Sequence, residues 1–427
     1  MNSTLQVRSL TDPTPTNLTP EATGNLINPT GFGVITSVAP ARQVQLMARF
    51  HFQAVRKLRQ FRFMLVALAL VAVGSLLHAS AADAQTRYDV SRRGDVVTLS
   101  DTRTEMIVRV LTTASNAYQM TVKGQDVIRR TWNTLDDIRG RMGLNGVPLL
   151  WPYANRLDEQ AFYANGQKYS FDLGLDNTGR GAIPIHGFVT GADAWKVVEA
   201  KADSKSSWVT MKLDFFRIPR YMKQFPFAHT LTMTYRVQDG TLEVHTRIDS
   251  LSDERMPVAI GFHPYFQLTD SPREEWRLSV GAKTHWMLDS NTLPTGQTEP
   301  IARILPDPRN VLVKDVTLDD IFTDLERDDR GRATMSLIGK AQRIDVVVGP
   351  RFRTILVLSR PNNGNRGGGP DPNAAAGPPA RGTVAFEPMA AITNALNLTQ
   401  KGLYKDLQSI EPGDSWEESF WIRPHGF

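Results

Sequence analysis

Leu231-Thr232-Met233-Thr234-Tyr235-Arg236-Val237-Gln238-Asp239-Gly240-Thr241-Leu242-Glu243-Val244-His245-Thr246-Arg247-Ile248 alternates apolar and polar residues on both sides of an Asp-Gly pair. Successive residues of a strand point to opposite sides, so positions 231, 233, 235 and 237, and then 242, 244 and 248, each line one face. Asp-Gly tolerates the positive φ angles of a tight two-residue turn, and the stretch predicts a β-hairpin. Similar short runs occur at 96–99, 106–111, 117–122, 208–216, 276–280, 335–338, 344–348 and 355–358, parted by Gly, Pro, Asn and Asp. Convincing amphipathic helices are nearly absent. So many strands at near-regular spacing imply an all-β fold with two large antiparallel sheets packed face to face. No linker divides residues 85–427, which are expected to form one large sandwich.

The chain has 427 residues, 41% of them hydrophobic and 22% charged, and no cysteine. That composition suits a globular chain with a substantial core and excludes disulfides. The formal charge of +5 is unevenly placed: residues 1–84 hold seven Lys/Arg against three Asp/Glu, which leaves +1 for the rest. A body so near neutrality has no broad phosphate-binding face, and nucleic acid is not an expected partner.

Arg56, Lys57, Arg59 and Arg62 precede a 14-residue apolar run at 64–77, which small residues follow up to Ala82-Asp83-Ala84. This is a secretory signal layout over 64–84 with cleavage expected after Ala84. The run is shorter than the roughly 20 apolar residues that span a membrane. Membrane contact is therefore expected only transiently through this segment, with an uncleaved anchor as the alternative, and the protein is expected to be periplasmic or secreted. Residues 1–63 read as an unstructured, basic leader, and Met47 or Met64 is the expected start. The stretch 361–382 is about half Gly and Pro, with no hydrophobic periodicity, and is expected to be a flexible insertion between two strands.

Two stretches carry chemistry. Gly261-Phe262-His263-Pro264-Tyr265-Phe266 and Phe386-Glu387-Pro388-Met389 each set an ionisable side chain in an apolar frame stiffened by proline. Apolar surroundings move a glutamate pKa toward neutrality, and the two stretches together suggest one general acid and one general base. His229, His245 and His285 lack a repeated metal-ligand spacing and read as structural or exposed. No H-E-x-x-H, P-loop, G-x-G-x-x-G or G-x-S-x-G signature organises the chain, so no metal or cofactor is expected and hydrolase, kinase and dehydrogenase chemistry lack their residues.

Five motifs in order carry a resemblance: Gly146-Val147-Pro148-Leu149-Leu150-Trp151-Pro152 with Asn155-Arg156-Leu157; Ile185-His186-Gly187-Phe188-Val189; Gly261 through Phe266; Leu318-Asp319-Asp320-Ile321-Phe322; and Glu387-Pro388-Met389 with Thr393-Asn394-Ala395. With their spacing, these resemble the aldose 1-epimerase (mutarotase) family over roughly residues 90–425. The resemblance implies a galactose mutarotase-like β-supersandwich with a single catalytic domain. It also implies an isomerase that interconverts the α and β anomers of a free aldose, as a monomer or homodimer. In that chemistry a base takes the proton of the C1 hydroxyl while an acid protonates the ring oxygen from the other side of the C1–O5 bond. The ring opens, turns and recloses, and neither redox cofactor nor metal takes part.

By the same resemblance Glu387 is the base, His263 the acid, and His186 polarises the substrate near C1. Asn155, Arg156 and Tyr265 are substrate ligands, as is Asp319 or Asp320, for which helix N-capping is the competing role. Trp151, Tyr265 and Phe266 are the candidates for an apolar face under the sugar. Two departures bear on the choice of sugar: Thr190-Gly191-Ala192-Asp193-Ala194-Trp195 follows the His186 motif in place of a charged residue and a Pro-Trp pair, and Met389-Ala390-Ala391 lacks the usual proline before Thr393-Asn394. Two other readings remain: a hexose-phosphate epimerase of the same superfamily, which needs extra basic residues, and a carbohydrate-binding β-sandwich without catalysis.

Overall fold

His229–Gln238 and Thr241–Ser250 form the hairpin, paired antiparallel in continuous register in a computed structural model. Asp239 and Gly240 take φ of 48° and 66°, as a turn of this twist requires. Leu231, Met233, Tyr235, Val237, Leu242, Val244 and Ile248 are all fully buried, so the alternation read from the sequence faces the core. The structure describes residues 5–7, 35–38, 86–140, 142–172, 183–360 and 383–427. The signal segment at 64–84 and the Gly/Pro-rich stretch at 361–382 lie outside the described residues. The chain divides into two compact units, Met1–Ala84 and Gln85–Phe427. In the first, Leu5–Val7 pairs antiparallel with Ile35–Val38.

In the second unit the hairpin sits inside a nine-stranded sheet whose order is Lys196–Ala202, Ser207–Leu213, His229–Gln238, Thr241–Ser250, Ser415–His425, Arg343–Val348, Ala333–Ile338, Arg277–Ser279 and Val311–Leu312. An eight-stranded sheet runs Pro294–Pro300, Thr284–Leu288, Leu318–Thr323, Thr354–Arg360, Thr383–Met389, Gly261–Phe262 and Leu149–Leu150, with Tyr265–Phe266 also on the strand Thr383–Met389. The ladders are antiparallel. The two sheets meet through aromatic side chains: Phe262 of the second lies 4.8 Å, ring to ring, from Phe420 of the first. One apolar cluster runs through both.

The expectation of two sheets needs an addition. A third, five-stranded meander, Tyr88–Arg93 through Gln125–Asp126, joins them. It is tied to the hairpin tip, where Tyr88 Oη accepts from the Asp239 amide at 3.1 Å and the buried Asp101 carboxylate accepts from the Gly240 amide at 3.0 Å. The strand expected over 208–216 ends at Leu213. Phe215–Arg217 instead turns as a 3-10 segment, because the buried Phe215 ring stacks 4.1 Å from His229 and Pro219 then opens a short helix, Pro219–Gln224. The only other α-helix among the described residues is Ala395–Gln400.

Candidate active site

Strand register brings the two proline-framed stretches together. Gly261 pairs with Met389, and Tyr265 pairs with Ala385. Continuing that register between them sets His263 opposite Glu387, on the same face of the sheet, where directly opposed side chains touch. Pro264 has no amide hydrogen to give the ladder, and the strand is interrupted there. His263 Nε2 lies 3.0 Å from Glu387 Oε1, and both side chains are almost wholly buried, at 4% and 1% exposure. The contact is off the hydrogen-bonding axis: neither carboxylate oxygen, nor His263 Nδ1, has an aligned partner among the described residues. Burial pushes the Glu387 carboxyl pKa upward, and the neighbouring His263 only partly offsets that. Acid and base were expected on opposite sides of one bond; here they touch directly. Because O1 and O5 are both bonded to C1, adjacent groups still reach both.

The same register resolves the two aspartates. Glu387 pairs with Leu356, and Leu356 with Ile321, so Ile321 and Asp319 share the face of Glu387 while Asp320 points to the other. Asp319 Oδ2 accepts from Arg156 at 3.3 Å and from Arg360 at 2.7 Å. Asp320 turns away to His285 Nε2, 3.0 Å distant, and its other oxygen accepts from the Asp319 amide. Of the two alternatives Asp319 joins the Glu387 face, and Asp320 lies on the opposite one. Both residues lie in the strand Leu318–Thr323, not at a helix start.

Arg156 and His186 come from two loops zipped to each other. Arg156 forms an antiparallel bridge with Ile185, and the His186 amide donates to the Asn155 carbonyl at 2.8 Å. Asn155 and His186 hold φ of 58° and 64°, a costly conformation for residues with a Cβ. Gly187 allows this approach, since a Cβ there would stand 2.1 Å from the Trp151 carbonyl oxygen. The His186 ring meets His263 edge-on, with centroids 5.3 Å apart. Asn155 is buried and its side-chain oxygen is taken by Arg156, through both the backbone amide and Nη1 at 2.9 Å. Its position is that of a support for Arg156.

Tyr265 packs tilted against His263, with 4.6 Å between centroids, and its hydroxyl is 3.4 Å from His263 Nε2. Burial, with Glu387 nearby, raises the phenol pKa, so it stays protonated. Trp151 and Phe266 do not reach the site: both are in the core, and Trp151 Nε1 donates to His229 Nε2 at 2.9 Å. His229 Nδ1 lies 2.7 Å from the Phe227 carbonyl, and desolvation brings its pKa down to about 3, so it is a neutral, structural histidine. His285, between Glu299 and Asp320, is buried and ion-paired, and His245 is half-buried against Ser419. These match the structural reading of all three.

The convergent groups are thus Arg156, His186, His263, Tyr265, Asp319 and Glu387, with the His263–Glu387 pair as a buried floor and Arg156, His186, Asp319 and Tyr265 partly exposed above it. Two residues at the site were missed. Arg360 lies four residues along the strand from Leu356 and so on the same face, a signal present in the alternation once the register is known. Arg129 sits over the Tyr265 ring at 4.5 Å and belongs to no motif. A separate open cavity of about 680 Å³, lined by Thr284, Trp286, Thr323, Arg327 and Tyr404 among others, adjoins the far end of the strand Leu318–Thr323 and contains none of the convergent residues. Among the described residues no group of three or more metal-ligating side chains occurs, and no helix is long and apolar enough to cross a membrane.

Comparison with known proteins meets this geometry. A galactose mutarotase-like protein from Clostridium acetobutylicum superposes with a TM-score of 0.65 at 18% identity, covering 80% of this chain and 98% of that one. A protein from Synechocystis gives a TM-score of 0.58 at 20% identity, with 80% and 100% covered. A galactose 1-epimerase from Lactobacillus acidophilus gives 0.56 at 17% identity, with 80% and 98% covered. At these identities the likeness is one of fold, the galactose mutarotase-like β-sandwich. The sequence profile of the aldose 1-epimerase family matches residues 117–423, most of the second unit and every motif quoted above. On that match the chain belongs to the aldose 1-epimerase family.

Proposed function

We propose that the protein is a mutarotase that interconverts the α and β anomers of a free aldose, with Glu387 as base and His263 as acid. The observation that carries the reading is the buried contact between them, in which the carboxylate has no aligned donor and waits for one. In the forward step Glu387 takes the proton of the C1 hydroxyl and protonated His263 gives one to O5 as the C1–O5 bond breaks. The open aldehyde turns about C1–C2. On reclosure O1 regains its proton from Glu387, and O5, attacking C1, returns its proton to His263, so that both groups end as they began. A carboxyl whose pKa burial has raised is a stronger base than an exposed one, which suits removal of a hydroxyl proton near neutral pH. Arg156 and Asp319 offer a fork of donors and an acceptor to sugar hydroxyls, Asn155 orients Arg156, and His186 stands beside His263 to polarise the C1 region.

Polarimetry on freshly dissolved α-glucose, α-galactose and other aldoses tests this directly. The decay of rotation is expected to accelerate in proportion to protein concentration for at least one sugar, and unchanged decay across the whole panel would refute the enzyme reading. Export to the periplasm or beyond is proposed with it, on the strength of the leader at 64–84. Mass spectrometry of the mature chain from the native cell is expected to find Gln85 first; a chain that retains the apolar run would contradict cleavage.

A further inference from the structure

Arg129 carries a charge beside the acid–base pair that no group among the described residues answers. The other two arginines of the site are engaged: Arg156 with Asn155 and Asp319, Arg360 with Asp319. Arg129 makes no ion pair and no side-chain hydrogen bond among the described residues, and its Nε is sealed from solvent without a partner. Its guanidinium lies over the face of Tyr265. Burial pushes its pKa below the ordinary guanidinium value. A partly desolvated cation without a counterion is costly, and structures that retain one generally supply the anion from elsewhere. The charges agree in sign: Arg129, Arg156, Arg360 and the protonated His263 of the mechanism outnumber Asp319 and ionised Glu387, so the site favours an anion.

Resting on the mutarotase reading above, we infer that Arg129 is the subsite for a carboxylate and that the preferred substrate is an aldose bearing one next to the ring oxygen, a uronic acid. The placement follows from the ring itself. His263 acts at O5, the Tyr265 hydroxyl touches His263 Nε2, and Arg129 lies over the Tyr265 ring. A substituent on C5, the other carbon bonded to O5, therefore extends toward Arg129. One free guanidinium matches one monoanion, and its planar fork fits a carboxylate. A phosphate dianion calls for a second free cation, and both other arginines are held by Asp319.

The test compares kcat/KM for anomerisation of galacturonate and glucuronate with galactose, glucose and glucose 6-phosphate, using the whole protein. Charge-assisted hydrogen bonds differ from neutral ones by enough to expect a preference for a uronate over its matched neutral sugar of about tenfold or more. Arg129→Gln is expected to cut the uronate value at least about tenfold more than the neutral one, and Arg129→Lys to keep part of the preference. Equal or better turnover of the neutral sugars would overturn the inference and leave the mutarotase reading intact, and a preference for the hexose phosphate would overturn the carboxylate assignment. If no aldose of any charge turned over, the mutarotase reading itself would fall. In that event calorimetry still decides the subsite: binding of galacturonate or glucuronate that Arg129→Gln weakens supports it, and no binding overturns it. The comparison among sugars uses the unaltered protein, so it stands even if the variants fold poorly.

Discussion

Glu387→Gln is expected to lower kcat for anomerisation by about 10² to 10⁴-fold, the usual contribution of one positioned proton-transfer group. At about 1.4 kcal/mol per factor of ten, that is roughly 3 to 5.5 kcal/mol of lost transition-state stabilisation. The amide has nearly the shape of the carboxylate, so the loss reports basicity and not packing. The same change is expected to stabilise the fold at neutral pH. Burial raises the folded-state pKa of Glu387 above its unfolded value of 4.5, so folding favours the protonated form. The stability from this group is complete below pH 4.5 and is lost as pH rises through the elevated folded pKa. Glutamine has no charge to desolvate. A rise in Tm is therefore expected at pH 7 and none at acid pH. Calorimetric melting at pH 4 and pH 7 beside a rate assay measures both. Wild-type kcat in the variant would remove Glu387 from the chemistry, and a lower Tm at pH 7 would contradict the account of its burial.

His263→Asn is expected to produce a loss of kcat of the same order, about 10² to 10⁴-fold, through the other half of the proton exchange. Asparagine still offers a donor near O5 but gives up no proton. The variant carries a second signature. The positive imidazole is what partly restrains the Glu387 pKa, so without it the carboxyl pKa moves up and the acid limb of residual activity shifts to higher pH. A histidine that only packed, with no charge beside Glu387, would change stability and leave that limb in place. One that only steadied Glu387 would shift the limb without the full loss of kcat. Measurement of kcat/KM against pH in both proteins separates these cases, and an unshifted limb with near-normal kcat would refute the role assigned here.

Much of this was legible in the chain, for reasons that differ from place to place. The hairpin at 231–248 declared itself because one face is buried and the turn admits few residues. The pairing of His263 with Glu387 did not, because 123 positions of sequence separate them and only a register fixes which residues oppose. Proline on each side marked the stretches as unusual without saying that they meet. Asp319 and Asp320 show the limit well: adjacent residues on a strand face opposite ways, and one unit of register decides which joins the site and which pairs with His285. The strand expected to run to Phe216 ends three residues early, because the Phe215 ring packs on His229, a tertiary contact that local alternation does not encode. Asn155 sits beside Arg156 in a family motif, yet its buried side chain is spent on holding that arginine. Arg129 belongs to no pattern, and only its half-buried charge, unanswered among the described residues, picks it out.

The central claim is that protons move at O1 and O5 of the sugar, between Glu387 and His263, while every carbon-bound hydrogen stays in place. Exchange NMR in D2O on an aldose at anomeric equilibrium examines this most directly. With the protein present, cross-peaks between the α and β H1 signals are expected to grow with protein concentration, and the H1 and H2 intensities are expected to hold constant through many turnovers. Deuterium appearing at C2 would place the base on carbon, and α and β signals that exchange no faster than in buffer would mean that the buried pair does not open the ring.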